Sequence, residues 1–528
     1  MIPMMLVKFL LAMLPIIWLI VALSRLKMPS HTACLSALAI TAVLALAIWK
    51  LSPVNTAAAA LEGSLNALWP ICLVIVAALF TYNLTLKTGA MEQIKKMLAG
   101  ISNDKRVLAL IIGWGFGNFM EGMAGFGTAV AIPASMLAGI GMNPINAVVA
   151  CLVVNSTPTA FGSVGVPTTV LSTVTDLEHI TMAGYIALIQ CILTFISPFI
   201  MVYIIGGGKK AFKGMLPMLL TASLSFTLPW FFVARYLGPE LPDIIGSICS
   251  ILCMIAASRI FKTDSDKEYL IETSGQGDLK NQKSSSAAKV SITPKEGVKA
   301  WAPFILIFIL LTLTSTICPP INNLIKPIKS SFLIYPGEGG KPLAFSWINT
   351  PGVMIFISAF IGGIIQGAGI ADIIGVFCGT LKKYWKTIVT ICAVLAIAKI
   401  MTYSGMIKDI AEMLVKATGP VYPFVSPLIG VLGAFITGSG TSTCVLFGEL
   451  QKETAQQLGL NVYWITAANV FGAGIGKMVC PQGIAIGTGA VNEVGSESKV
   501  LGAVFKYFIF YALLAGVICL AGSFIFKI

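Results

Sequence analysis

The chain has 528 residues, 57% of them apolar and only 11% charged, with a mean hydropathy of +0.90. Soluble globular proteins carry roughly 25% charged residues, so soluble enzymes, nucleic-acid binders and secreted disulfide scaffolds are excluded. About a dozen apolar segments of ~20 residues fit in this length, which describes a multi-spanning membrane protein in a lipid bilayer. The net charge of +13 falls between the apolar runs, where membrane topology rather than nucleic acid explains it.

The first apolar segment, 3–23, is too long for a signal-peptide core and has no small-residue cleavage site behind it, so it reads as a retained helix. Others follow near 32–49, 65–86, 107–120, 144–170, 183–205, 214–234, 241–260, 300–318, 351–378, 387–405, 421–437, 461–488 and 504–526. Basic clusters punctuate them: Arg25 and Lys27; Lys87, Lys95, Lys96, Lys105 and Arg106; Lys209, Lys210 and Lys213; Lys382, Lys383 and Lys386. Alternating the spans puts every cluster on one face once 107–120 is taken as a re-entrant segment that does not cross. The positive-inside rule makes that face cytoplasmic and the N-terminus external. The stretch 262–299 is Ser/Lys-rich without apolar periodicity and is expected to be a flexible cytoplasmic linker between membrane halves 1–261 and 300–528.

Twelve cysteines are scattered, mostly in apolar runs, with no Cys-x-x-Cys pair; they read as small hydrophobes. His31 and His179 are the only histidines, too few for a di-histidine metal or haem site, and no cofactor is expected.

Two regions are unlike plain spanning helices. Broken segment 113–167 contains Gly125-x-Gly127-Thr128, then Phe161-Gly162 and Pro167. Broken segment 433–483 contains Gly438-x-Gly440-Thr441, then Phe471-Gly472 and Pro481. Glycine and proline at this density break a membrane helix and expose backbone groups, which is tolerated where the break lines a cavity or is buried in protein. A single small-residue motif would signify only close helix packing. Paired breaks in two halves point to a transporter's binding site, and half-helix N-termini suit a small anion. Gly472-Ala-Gly-Ile-Gly476-Lys477-Met478 is not a phosphate loop, since Phe471 and Met478 stand where Gly and Ser/Thr are required.

Ionisable residues inside spans are expensive and functional by default. Glu121 lies in the first break and is a candidate proton carrier, a helix cap being the bland reading. Lys477 lies in the second and is a candidate counter-charge for a carboxylate, snorkelling being its bland reading. Lys399 is a weaker candidate. Glu62, Asp372, Lys408 and Glu412 read as interfacial, and Asp176, Glu178 and His179 as loop residues.

The segments Glu121-Gly-Met-Ala-Gly-Phe-Gly-Thr128, Cys151-Leu-Val-Val-Asn-Ser-Thr-Pro-Thr-Ala-Phe-Gly162 and Gly165-Val-Pro167 resemble the lactate permease family of bacterial carriers. So do Tyr403-Ser-Gly-Met406, Gly438-Ser-Gly-Thr-Ser442, Leu446-Phe-Gly448 and Gly476-Lys-Met-Val-Cys-Pro-Gln482, so that the similarity spans most of the chain. The resemblance implies an all-α polytopic protein of about 12–14 membrane segments, in two inverted repeats with re-entrant hairpins, working as an elevator. It implies proton symport of L-lactate, with D-lactate and glycolate, across the bacterial inner membrane. The chain departs from the family pattern at Gly440, where Asp or Asn is common, at Cys444 and Thr402, where Asn is frequent, and at Ala129, usually Pro.

The expected reading is a non-enzymatic symporter. Gly125, Gly127, Thr128, Ser439, Thr441 and Ser442 hold the carboxylate substrate from two hairpin tips; Asn155, Thr157 and Asn469 line the site; Lys477 balances charge; Glu121 carries the proton. A homo-oligomer is left open. A sodium-coupled carrier of another small anion and a channel or sensor remain as alternatives.

Overall fold

A computed structural model describes the chain except residues 1, 25, 27, 126, 262–268, 271–292, 315–317, 494 and 527–528. Arg25, Lys27 and most of the expected linker 262–299 therefore lie outside the described residues. The first half opens with α1 (Ile2–Ser24), α2 (Ser30–Ala47) and α3 (Pro53–Asn66), which runs through a π-helical turn, Ala67–Cys72, into α4 (Leu73–Lys87). After α5 (Ala90–Ala99), α6 (Lys105–Leu108), a π-helical stretch Ala109–Phe116 and α7 (Gly117–Met123) form one continuous arm. After α7 the chain turns back into α8 (Thr128–Gly139). α9 (Pro144–Val154) and α10 (Gly162–Thr175) meet at a 62° bend across a short 3-10 turn. α11 (His179–Ile205), α12 (Leu216–Tyr236) and α13 (Pro242–Ile260) complete this half.

The second half runs α14 (Pro294–Thr314), α15 (Pro319–Ile325), β1 (Lys329–Phe332), β2 (Leu343–Ser346), α16 (Pro351–Gln366), α17 (Ile370–Ser404) and α18 (Met406–Thr418). A hairpin of α19 (Tyr422–Thr437) and α20 (Gly440–Gln457) follows. α21 (Val462–Lys477) and α22 (Pro481–Ala490) then meet at a 43° bend, and α23 (Glu497–Ile525) ends the chain.

Eight described helices are long and apolar enough to cross a membrane, or ten if each bent pair is one span. The expected 12–14 segments are reached only by counting four shorter apolar helices, among them α8 and α16, which hydropathy does not distinguish from full spans. The all-α expectation needs one correction: β1 and β2 pair antiparallel with Lys329 opposite Ser346, and Phe332 and Phe345 pack their rings 6.1 Å apart across the pair. Hydropathy missed this hairpin because a polar Gly-rich loop, 333–342, interrupts two runs of four residues.

The two halves repeat one local device that the motif search overlooked. In each, a left-handed glycine (Gly141, Gly459) precedes an asparagine cap. Asn143 accepts from the Asn146 amide and Asn461 from the Trp464 amide, each at 3.0 Å. That turn joins the hairpin to the broken helix in both halves. The halves then interlock: α8 packs on α22 and α20 on α10, while α9 meets α23 and α21 meets α11. A second group, α2, α3 and α4 with α14, α16 and α17, packs alongside and reaches the first mainly where α17 and α18 meet α20.

Two further sequence readings change. Arg106, counted among the basic clusters of the cytoplasmic face, is buried; it pairs with Asp104 at 2.8 Å and donates to the carbonyls of Ala211 and Lys213. It thus ties its own cluster to the 209–213 cluster at one end of the molecule. Glu62, expected at an interface, is also buried, paired with Lys399 at 2.8 Å and accepting from the Tyr403 hydroxyl at 2.9 Å.

α19 packs closely on α21, where a Cβ on Gly472 would run into the Pro427 carbonyl and one on Gly430 into that of Asn469. Backbones so close need glycine, as small-residue membrane interfaces do. Gly472→Val is expected to cost about 1–3 kcal/mol or more by overpacking and to lower the melting temperature in detergent. Gly139→Ala, whose added methyl meets nothing within 4 Å, is the matched control and should leave it unchanged.

Candidate functional site

A cavity of about 370 Å³ lies where the two hairpin tips and the two helix breaks converge. That is near the lower end of the roughly 300–1,000 Å³ typical of small-ligand pockets. Gly125 and Gly127 come from the first tip, Thr437 to Ser442 from the second, Asn155 and Ser163 from the first break, and Cys480 and Gln482 from the second. His31 of α2 and Lys386, Thr387 and Thr390 of α17 also line it, the exposed Lys386 marking its open end.

The tips are shaped by local chemistry. Gly125 and Gly438 are left-handed, with φ of +59° and +67°, a conformation cheap only for glycine. Space forbids a side chain as well: a Cβ on Gly125 would strike the Ser163 hydroxyl and one on Gly438 the Gln482 amide. Gly127, Ser439 and Cys480 are the N-cap residues of α8, α20 and α22, so three helix N-termini open on the cavity. Ser439 accepts from the Ser442 amide at 3.2 Å. The first-turn amides of a helix have no intrahelical partner and carry the positive dipole end, so this wall is suited to an anion. Behind it, Ser163, Val164 and Gly165 are three successive left-handed residues at the start of α10. Strain of this kind clusters at working sites.

At the cavity wall Lys477, the last residue of α21, donates from Nζ to Glu121 Oε1 at 2.9 Å. Asn155 Nδ2 donates to Glu121 Oε2 at 3.0 Å. The Glu121 side chain is 3% exposed and that of Lys477 17%. Gly162 makes room for the carboxylate, since a Cβ there would sit 2.7 Å from Oε1. The pair joins residues 356 positions apart and belongs to neither half alone.

Of the expected site residues, Gly125, Gly127, Asn155, Ser439, Thr441, Ser442, Lys477 and Glu121 line one cavity. Thr128, Thr157 and Asn469 do not. Thr128 turns its hydroxyl back to the Gly125 carbonyl at 2.7 Å, and Thr157 to that of Val154 at 3.3 Å. Asn469 is buried and donates to the Thr443 carbonyl at 3.3 Å, holding α21 to α20. Thr128 and Thr157 each serve a break in the backbone ladder, a local use of short polar side chains that a motif reading cannot separate from ligand binding, and Asn469 serves helix packing. Sequence reasoning missed Ser163, which lies between two quoted motifs in the first broken segment, Gln482, which ends a quoted motif, and His31 and Lys386, which no motif marks. The departure at Gly440 has a steric account: a Cβ there would stand 3.1 Å from Thr159 Cγ2. Cys444, one turn further, is fully buried.

A family model described as L-lactate permease matches residues 8–526. An L-lactate permease of Streptococcus iniae is 43% identical over 87% of this chain and 93% of its own length. A glycolate permease of Escherichia coli (strain K12) is 34% identical over 98% of this chain and 96% of its own. The crystal structure of a transporter from Alcanivorax borkumensis covers 88% of both chains at 14% identity, with a TM-score of 0.47.

Removing one partner of a buried ion pair typically costs about 3–5 kcal/mol, because the other charge stays behind. Glu121→Gln and Lys477→Met are each expected to lower the melting temperature. The double variant should lose clearly less than the two losses added, as a double-mutant cycle in detergent would read.

Proposed function

The chain belongs to the L-lactate permease family, and on that premise we propose that it is a proton-coupled symporter of small 2-hydroxy monocarboxylates. It is a multi-pass membrane permease and not an enzyme. L-Lactate is the first substrate, with D-lactate and glycolate in the same range, and the E. coli relative named for glycolate supports that breadth.

The observation that carries this reading is the Lys477–Glu121 pair at a cavity walled by helix N-termini. A substrate carboxylate entering beside the first turn of α20 competes with Glu121 for the Lys477 ammonium. The hydroxyls of Ser439, Thr441 and Ser442 are at hand for its 2-hydroxyl and second carboxylate oxygen. Glu121, left with only the Asn155 amide, takes up a proton. The loaded site then holds lysine, carboxylate and neutral acid, a set of zero net charge that crosses a low-dielectric barrier at less cost than bare ions. Without substrate, lysine and glutamate neutralise each other, so the empty site can also return. Substrate and proton therefore travel together, because either one alone leaves a buried charge unmatched.

The motion we propose carries the interlocked body of hairpins and broken helices, with α11–α13 and α23, as an elevator past the α2–α4 and α14–α17 group. The two halves are read as inverted repeats, a reading supported by the reciprocal packing of α8 on α22 and α20 on α10. The charge pattern favours an external N-terminus and a cytoplasmic 262–299 linker. Lys386, at the open end of the cavity, belongs to a basic cluster of the cytoplasmic face, so the cavity opens inward.

Uptake of labelled L-lactate into proteoliposomes, with an imposed proton gradient and no sodium, tests the function. Protonophore-sensitive accumulation is expected; its absence, in liposomes that exchange lactate, overturns proton coupling. Lys477→Met should weaken lactate binding at least ten-fold, about 1.4 kcal/mol. Glu121→Gln should reduce accumulation to simple equilibration.

A further inference from the structure

A second carboxyl stands behind Glu121. Asp243, on the first turn of α13, is 1% exposed, and its Oδ1 accepts from Trp230 Nε1 at 2.9 Å. Its Oδ2 is buried with no hydrogen-bond partner among the described residues. The residue lies directly on the α7 arm, so close that a Cβ on Gly122 would fall 2.7 Å from the Asp243 Cβ. It is within electrostatic reach of both Glu121 and Lys477.

Charge counting at this place does not balance with both acids ionised. Two carboxylates and one ammonium leave a net negative charge in surroundings that solvate it poorly, and acids sharing a buried site do not both ionise readily. Glu121 receives two donors, one of them charged, whereas Asp243 receives one indole N–H. A bare buried oxygen on a carboxyl is satisfied as an acid, where it becomes a donor, and not as an anion. The groups around it leave little else to titrate. Glu121 on α7 and Lys477 on α21 are named already, and Glu240 precedes α13 in the turn from α12, half-buried. Gly162–Thr175 of α10 and Ala109–Phe116 contain no charged residue. Arg235, the only charged residue of α12, lies over Gly184 of α11 instead.

We propose that Asp243 is a second proton-binding residue of the transport cycle, sharing its proton with Glu121. When substrate draws Lys477 away from Glu121, the O–H at Asp243 breaks and one forms at Glu121. Asp243 is then re-protonated from water on the Glu240 side, so one proton is taken from solution for each substrate loaded. The proposal rests on the proton-coupled reading of the site.

The test is the pH profile of initial lactate uptake by the full chain in proteoliposomes, for wild type and Asp243→Asn. The variant's midpoint is expected to move by one pH unit or more, with accumulation reduced at least ten-fold. A merely structural role would scale the rate equally at every pH, and a wild-type profile shape in the variant overturns the proposal. If Asp243→Asn does not fold, Trp230→Phe takes its place. It removes the one donor to Oδ1 and keeps the ring; a shift of the midpoint toward alkaline pH is expected, and an unmoved midpoint overturns the proposal. Failure of the underlying reading looks different, because wild type itself would then show no protonophore-sensitive accumulation.

Discussion

The contact between the Lys477 ammonium and the Glu121 carboxylate is the constraint around which the rest of the molecule is arranged. Two ions taken out of water cost several kcal/mol each unless geometry and further hydrogen bonds compensate. Here the compensation comes from separate elements: Asn155 at the end of α9 donates to one carboxylate oxygen, and Gly162 at the start of α10 leaves space for the other. The breaks in both broken helices thus lie where this pair needs them. The hairpin tips close around the same point and contribute helix ends whose dipoles favour a second anion.

That arrangement also bears on one departure from the family pattern, Gly440. Gly440 begins α20 against Thr159 and beside Pro167, contacts made across the two halves. An Asp or Asn at that position needs Thr159 to yield by a few tenths of an ångström. In this chain the first turn of α20 therefore meets its ligand with backbone amides and the hydroxyls of Ser439, Thr441 and Ser442, without a carboxamide or carboxylate. The smaller residue couples the second hairpin more tightly to the first broken helix and leaves less side-chain chemistry on the cavity wall.

Much of this was legible in the sequence because broken membrane helices leave a compositional mark. Glycine, proline and hydroxyl residues at membrane depth located both tips and both bends, and lone charges there picked out Glu121 and Lys477. Other features leave no such mark. Asp243 follows a proline at the start of a span, where an acid reads as ordinary helix-end chemistry; its burial follows from Trp230 and Gly122 lying over it. Glu62 looked interfacial by its position near a helix end, but Lys399 and Tyr403, over 330 residues later, cover it. Thr128, Thr157 and Asn469 have the composition of ligand-binding residues, but the two threonines spend it on their own backbone and Asn469 on the Thr443 carbonyl of α20. The matched Gly-x-Asn turns at 141–143 and 459–461 were visible in principle, but three residues carry little weight until the structure aligns the elements around them.

The reciprocal packing of the halves bears on how such a chain is made. α8 rests on α22, and Glu121 on a lysine 356 residues later. At roughly 5–20 residues per second, the ribosome needs on the order of 20–70 s to deliver that partner. Throughout that interval the N-terminal half sits in the bilayer with an acid, a helix break and the face of α8 that awaits α22 all uncovered. The nascent half is thus a membrane-inserted intermediate, held open until its complement arrives. A chain cut short before Lys477 and α22 keeps those groups exposed, where membrane proteases and insertion chaperones can distinguish it from a finished one.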